Sequence, residues 1–62
     1  MSRYVVLDLD DQIVTAEVLE EEPAAEAGRL RCRVKVEAGR NIGRLLWVEC
    51  PEGNVRDQAA GR

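Results

Sequence analysis

The chain has 62 residues, 45% of them hydrophobic, 34% charged and only 3% aromatic, with a formal net charge of −3 and no His or Phe. A chain this short forms one small domain and buries only about 60% of the surface its unfolded form exposes. That excludes a two-domain enzyme, a dinucleotide-binding α/β unit and a barrel large enough to enclose an active site. No stretch approaches the roughly 20 apolar residues of a membrane-spanning helix. The first residues carry no signal-peptide pattern, so a cytoplasmic location and no membrane partner are expected.

Residues 3–10, RYVVLDLD, alternate Val5, Leu7 and Leu9 with Val6, Asp8 and Asp10, the period of a strand. Asp10, Asp11 and Gln12 supply a polar turn, and residues 13–20, IVTAEVLE, return as its hairpin partner with Val14, Ala16 and Val18 on one face. Residues 20–28 form an acidic connection punctuated by Pro23 and Gly28. They read as a mobile loop, with room for one helical turn over 24–27 closed by Gly28. Residues 30–37, LRCRVKVE, alternate without a break: Leu30, Cys32, Val34 and Val36 against Arg31, Arg33, Lys35 and Glu37. This predicts a half-buried antiparallel strand. Gly39 and Gly43 mark the next turn, and residues 44–50, RLLWVEC, form a fourth strand with Leu46, Val48 and Cys50 on one face and Leu45, Trp47 and Glu49 on the other. Residues 51–54 turn, residues 55–57 start a short fifth strand, and residues 58–62 read as a flexible C-terminal tail.

The fold expected is all-β. Residues 1–57 make a single small domain, a four- to five-stranded antiparallel barrel or strongly curved sheet of the OB or SH3-like kind. Its core would be Val5, Leu7, Leu9, Val14, Ala16, Val18, Leu30, Cys32, Val34, Val36, Leu46 and Val48. An aliphatic core this thin barely offsets the entropy of ordering the chain, which a homodimer would relieve.

Charge is divided unevenly. Residues 1–28 hold one base and eight acids, net −7, and residues 29–62 hold eight bases and four acids, net +4. Such a division points to a polar partner or to internal pairing of an acidic strand with a basic one, with Glu17, Asp8 and Asp10 as the expected counterions. Cys32 and Cys50 have no histidine and no close CxxC spacing to support a zinc site or an activated nucleophile. Both lie on apolar strand faces and read as small buried hydrophobes. Asp8, Asp10 and Asp11 lack the glycine and distal glutamate of a calcium loop and read as a solvated turn. No phosphate loop and no general acid–base histidine is present. No catalytic residue, metal, cofactor or small-molecule substrate is therefore expected, and the chain is not expected to be an enzyme.

The sharpest feature is the basic stripe. Arg31, Arg33 and Lys35 project from one strand face about 6.6–7 Å apart, near the spacing of phosphates along a single strand. Arg29, Arg40 and Arg44 would extend it around the turn, and Trp47, if its strand is adjacent, would stack on a base. The competing role for Trp47, with Leu45, is an apolar contact between chains.

The string Ala16-Glu17-Val18, fifteen residues, Val34-Lys35-Val36, then Gly39-Arg40-Asn41, Gly43-Arg44 and Asn54-Val55-Arg56 resembles the archaeal and eukaryotic small-subunit ribosomal protein number twenty-eight family over residues 15–57. That resemblance implies an OB-like barrel that contacts ribosomal RNA near the messenger path, with Lys35, Arg40, Arg44 and Arg56 as RNA contacts. Residues 1–12 would be an added strand, and glutamates replace the family's Gly- and Thr-rich loop. The leading function expected is thus an RNA- or ribonucleoprotein-binding module using Arg31, Arg33, Lys35, Arg40, Arg44, Arg56 and Trp47; the alternative is a homodimeric assembly module using Leu45, Trp47 and exposed strand edges without nucleic acid.

Overall fold

The computed structural model describes residues 2–57. Strand β1 (Arg3–Leu9) turns into β2 (Gln12–Pro23), followed by β3 (Arg29–Val36), β4 (Leu45–Pro51), a short 3-10 turn (Glu52–Asn54) and β5 (Arg56–Asp57). All pairings are antiparallel, and the sheet order is β4-β3-β2-β1-β5. The first four strands are an up-and-down meander, and β5 returns to the far side of β1. This order has no Greek key, the connection that marks the OB fold; of the two barrel kinds expected, it follows the SH3-like one. The expected tail over residues 58–62 lies outside the described residues.

The connection between the outer strands makes the sheet curl. In a flat sheet β4 and β5 would lie about 19 Å apart, four interstrand spacings. The chain from Pro51 to Arg56 passes through a 3-10 turn and reaches only about 13 Å. The sheet must bend until its edges approach, and the concave side becomes the core. Val5, Ala16, Cys32, Val34, Cys50 and Val55 form the buried cluster, with Leu7, Val18, Leu30, Leu46 and Val48 packed against it. Alternation had placed ten of these residues on the buried faces. Val55 joins them because the 3-10 turn swings it under the end of the sheet.

The β1–β2 turn is the two residues Asp10 and Asp11, between paired Leu9 and Gln12. Both have positive φ, 49° and 64°. That is the requirement of the type I′ turn, whose twist matches the flanking strands.

The acidic segment is not a loop. β2 runs through Glu20, Glu21 and Glu22 to Pro23, and no helical turn forms at residues 24–27. Residues 24–28 instead make a tight reversal, with Ala24 N donating to Arg29 O at 3.1 Å and Gly28 at φ +83°. A bulge at Leu19 explains the difference. Before it, Glu17 opposes Lys35 and Val18 opposes Val34; after it, Glu20 opposes Arg33, Glu21 opposes Cys32 and Glu22 opposes Arg31. One extra residue inverts the parity of the strand. Without it Glu20 and Glu22 would face the core.

Candidate interaction surface

The convex face of the sheet carries every side chain singled out above except Arg40 and Arg44, which sit in the β3–β4 turn. Cross-strand register orders that face in rows. Leu45, Lys35, Glu17, Tyr4 and Arg56 lie in one row across all five strands. Trp47, Arg33 and Glu20 form the next, and Glu49, Arg31 and Glu22 the third. The basic strand and Trp47 are therefore adjacent, as expected. Arg56 is not part of that patch; it lies at the opposite edge, three strands from Lys35.

Two of the three stripe side chains, Arg31 and Arg33, are paired within the chain. Arg31 Nη1 meets Glu22 Oε2 at 3.1 Å and Arg33 Nη1 meets Glu20 Oε2 at 3.4 Å, while Arg29 Nε lies 3.5 Å from Glu49 Oε1. Internal pairing was one of the two readings of the charge division, and its partners differ in part from those expected. Glu17 lies across from Lys35, but among the described residues Asp8 and Asp10 form no ion pair with Arg31, Arg33 or Lys35. Glu20 and Glu22, re-aimed by the bulge, take that place. Exposed pairs like these contribute at most about 1 kcal/mol each. Their larger effect is on the local field, because a line of carboxylates beside the guanidiniums repels phosphate.

Arg31 also covers Trp47, its guanidinium carbon 4.8 Å from the ring centroid. The ring remains 46% exposed, beside Leu45 at 51%. One face of the indole is already occupied by a cation, the arrangement of a cation–π contact.

Of the turn arginines, Arg40 docks onto the β1–β2 turn and Arg44 braces its own turn. Arg40 N donates to Gln12 Oε1 at 3.0 Å, Arg40 Nη2 to Asp10 O at 2.9 Å and Asn41 Nδ2 to Asp10 Oδ2 at 3.0 Å. Arg44 Nη1 donates to Asn41 Oδ1 at 3.2 Å. Residues 39–44 are thus clamped to the β1–β2 turn, and Arg40 points away from the stripe. Asp10 serves as an acceptor in that clamp. Among the described residues, no group of three or more Asp, Glu, Cys or His side chains is placed to hold a metal ion.

The concave side ends in a second ion cluster. Arg3 Nη1 pairs with Glu21, and Arg3 Nε lies 3.3 Å from Asp57 Oδ1. Just inside it lie Cys32 and Cys50, both buried and both free thiols. Burial pushes the Cys32 thiol up to about 11, helped by neighbouring Cys50 and Glu21 and opposed by Arg3. A thiol held protonated in this way is a poor nucleophile.

The most consequential feature is the free edge of β4. At the two ends of the β3–β4 ladder, Val36 N donates to Arg44 O at 2.9 Å and Glu52 N to Gly28 O at 3.0 Å. Antiparallel bonding alternates residue by residue. The hydrogen-bonded pairs are therefore Val34–Leu46, Cys32–Val48 and Leu30–Cys50, and Leu45, Trp47 and Glu49 turn their N–H and C=O groups outward. Among the described residues no strand lies on that side. Arg29 Nη2 reaches the Glu49 carbonyl at 3.4 Å and covers only that group. The opposite edge, β5, is two residues long.

Sequence reasoning placed Leu45 and Trp47 on the outward face of β4 but missed the glutamate ladder and the bulge that builds it. The available signal was the break in alternation at Val18-Leu19, where two apolar residues adjoin. Comparison of the chain with protein-family models, curated proteins and solved structures finds no match.

Proposed function

We propose that this chain is a non-enzymatic assembly module that accepts a further polypeptide strand along β4. The observation carrying this reading is the character of that edge. Leu45-Leu46-Trp47-Val48 is an apolar run with side chains on both faces, the pattern of a strand buried inside a sheet. It stands at an edge instead. Edges in monomers are blunted by lysines, bulges, inward charges or shortness. β4 is seven residues long, its one charged residue and its proline stand in its last three positions, Leu45 to Val48 carry no such device, and its registered pairing to β3 is unbroken. Strand addition would satisfy the outward groups of Leu45, Trp47 and Glu49, with Trp47 and Leu45 as apolar anchors.

The leading expectation from the sequence, RNA binding through the β3 stripe, has less support. Arg31 and Arg33 already hold carboxylates, Arg40 is tied to the β1–β2 turn, and the net charge is negative.

Amide hydrogen exchange tests the proposal. The protein is measured alone and with an eight-residue Thr–Val repeat peptide flanked by lysines as a generic strand. Leu45, Trp47 and Glu49 amides should be slow in at least one condition. If all three exchange at open-chain rates in both, strand addition at β4 is wrong.

A further inference from the structure

We infer that the strand received by β4 is the β4 of a second copy, paired antiparallel about a two-fold axis through Trp47. This rests on the strand-addition reading above and deepens it by naming the partner and the register.

The edge is self-complementary. A two-fold axis at Trp47 sets Trp47 opposite Trp47 of the other copy and Leu45 opposite Glu49 in both directions. All three residues present outward N–H and C=O groups, so this register makes about six hydrogen bonds, the Glu49 carbonyl accepting one of them beside its bond from Arg29 Nη2. Moving the axis one residue, to Val48, sets Leu45 opposite Pro51 at the two ends of the joint, where proline offers no N–H and the Leu45 carbonyl of each copy stays unpaired. That register also makes about six hydrogen bonds, so the side chains decide: it sets Trp47 opposite Glu49, whereas the Trp47-centred register pairs the two indoles.

Side chains agree on both faces. On the convex face the two indoles become cross-strand neighbours, each backed by its own Arg31, and no like charges stand opposite one another. On the concave face Leu46 of one copy falls beside Val48 of the other. Leu46 and Val48 are the half-buried rim of each core. Pairing converts two exposed rims into one continuous apolar layer, which a thin core made mostly of valine lacks on its own.

The test combines mass, exchange and cross-linking. Leu45→Cys and Glu49→Cys chains are mixed in a glutathione redox buffer. Opposed residues in such a pair have Cα atoms about 5.5 Å apart, inside the range a disulfide spans. Like positions on the two copies lie about 13 Å apart along the strands, beyond it. Light scattering should give a dimer mass. The mixed disulfide should exceed either like disulfide on the order of 100-fold at micromolar protein, the ratio of effective to bulk concentration. Trp47→Lys should raise the dimer dissociation constant about 30-fold or more. Both cysteine substitutions are at exposed positions, and circular dichroism verifies their folding.

A monomer whose edge amides slow only when the Thr–Val peptide is added overturns the second copy and leaves strand addition standing. A monomer with fast edge amides under both conditions overturns both. A dimer that gives like disulfides in excess overturns the register, and one whose edge amides stay fast overturns β4 as the joint.

Discussion

Replacing Gly39 by alanine should cost far more than the same change at Gly28, and the difference measures how firmly the β3–β4 turn is docked. Both glycines have left-handed φ, +84° and +83°. Alanine in that conformation costs about 1–2 kcal/mol, less about 0.4–1 kcal/mol regained from a stiffer unfolded chain. At Gly28 nothing lies within 4 Å of the new methyl, so that is the whole cost. At Gly39 the methyl would sit 2.6 Å from Gln12 Oε1 and 3.0 Å from Val14 Cγ1. Gln12 must move, releasing its bond to Arg40 N, which is worth about 0.5–1.5 kcal/mol. Val14 is buried and cannot retreat freely, which adds about 1 kcal/mol of overpacking. The extra penalty at Gly39 is about 1.5–2.5 kcal/mol. In a 62-residue domain each kcal/mol moves Tm by about 8 °C, so Gly39→Ala should melt roughly 12–20 °C below Gly28→Ala. Urea and thermal unfolding followed by far-UV circular dichroism read the difference. Adding Gln12→Ala to Gly39→Ala should recover part of it, because the clash is mostly with that side chain. Equal stabilities for the two glycine variants would refute the docking argument.

Three further outcomes follow from the same structure. Glu20→Gln with Glu22→Gln should change stability by less than about 1 kcal/mol per site, yet raise affinity for a ten-residue oligouridine in fluorescence anisotropy, since it unmasks Arg33 and Arg31. Tight binding of that oligonucleotide by the unsubstituted protein at physiological salt would restore the RNA reading. Cys32 should resist iodoacetamide at pH 8, about 100-fold or more slower than an open-chain cysteine, because its thiol titrates near 11. The folded thiol holds its proton longer than the unfolded one. Stability should therefore be intact below about pH 8.5 and fall by about 1–3 kcal/mol as pH rises from there toward 11, a loss that Cys32→Ala should abolish in urea titrations across that range. Asp11→Gly should stabilise the protein by about 0.5–1 kcal/mol, read as a higher Tm, because glycine is the preferred second residue of a type I′ turn.

Much of the fold was legible because three strands obey one rule. In β1, β3 and β4 the register is unbroken, and the sides that period two assigns to Val5, Cys32, Val34, Leu46 and Trp47 are the sides they occupy. β2 was legible only to its bulge. Beyond Leu19 the parity inverts, and three consecutive glutamates followed by proline carry no strand propensity of their own. What holds them extended is tertiary: Arg33 and Arg31 across the strand, and Arg3 at the open end of the core. The turn at residues 39–44 was legible as a turn, but its attachment to Asp10 and Gln12 exists only after the sheet has curled.

The candidate interaction surface divides in the same way. Leu45 and Trp47 could be placed on an outward face from the pattern of β4 alone. That β4 is an edge could not, because it depends on where β5 goes, and two residues pairing with Arg3 and Tyr4 leave no periodic trace. Only with the strand order known does the conflict in β4 emerge, between a local sequence suited to the middle of a sheet and a position at its margin. Natural sequences usually agree with their fold at every level, and the places where they do not are most often where function resides. The glutamate ladder bears on the same conclusion. Carboxylates set against β3 occupy the arginines that would otherwise recruit polyanions, and they leave Trp47 backed by Arg31 beside an open row of backbone groups. A surface silenced toward phosphate and left unfinished toward another strand is better suited to joining polypeptide than to gripping nucleic acid.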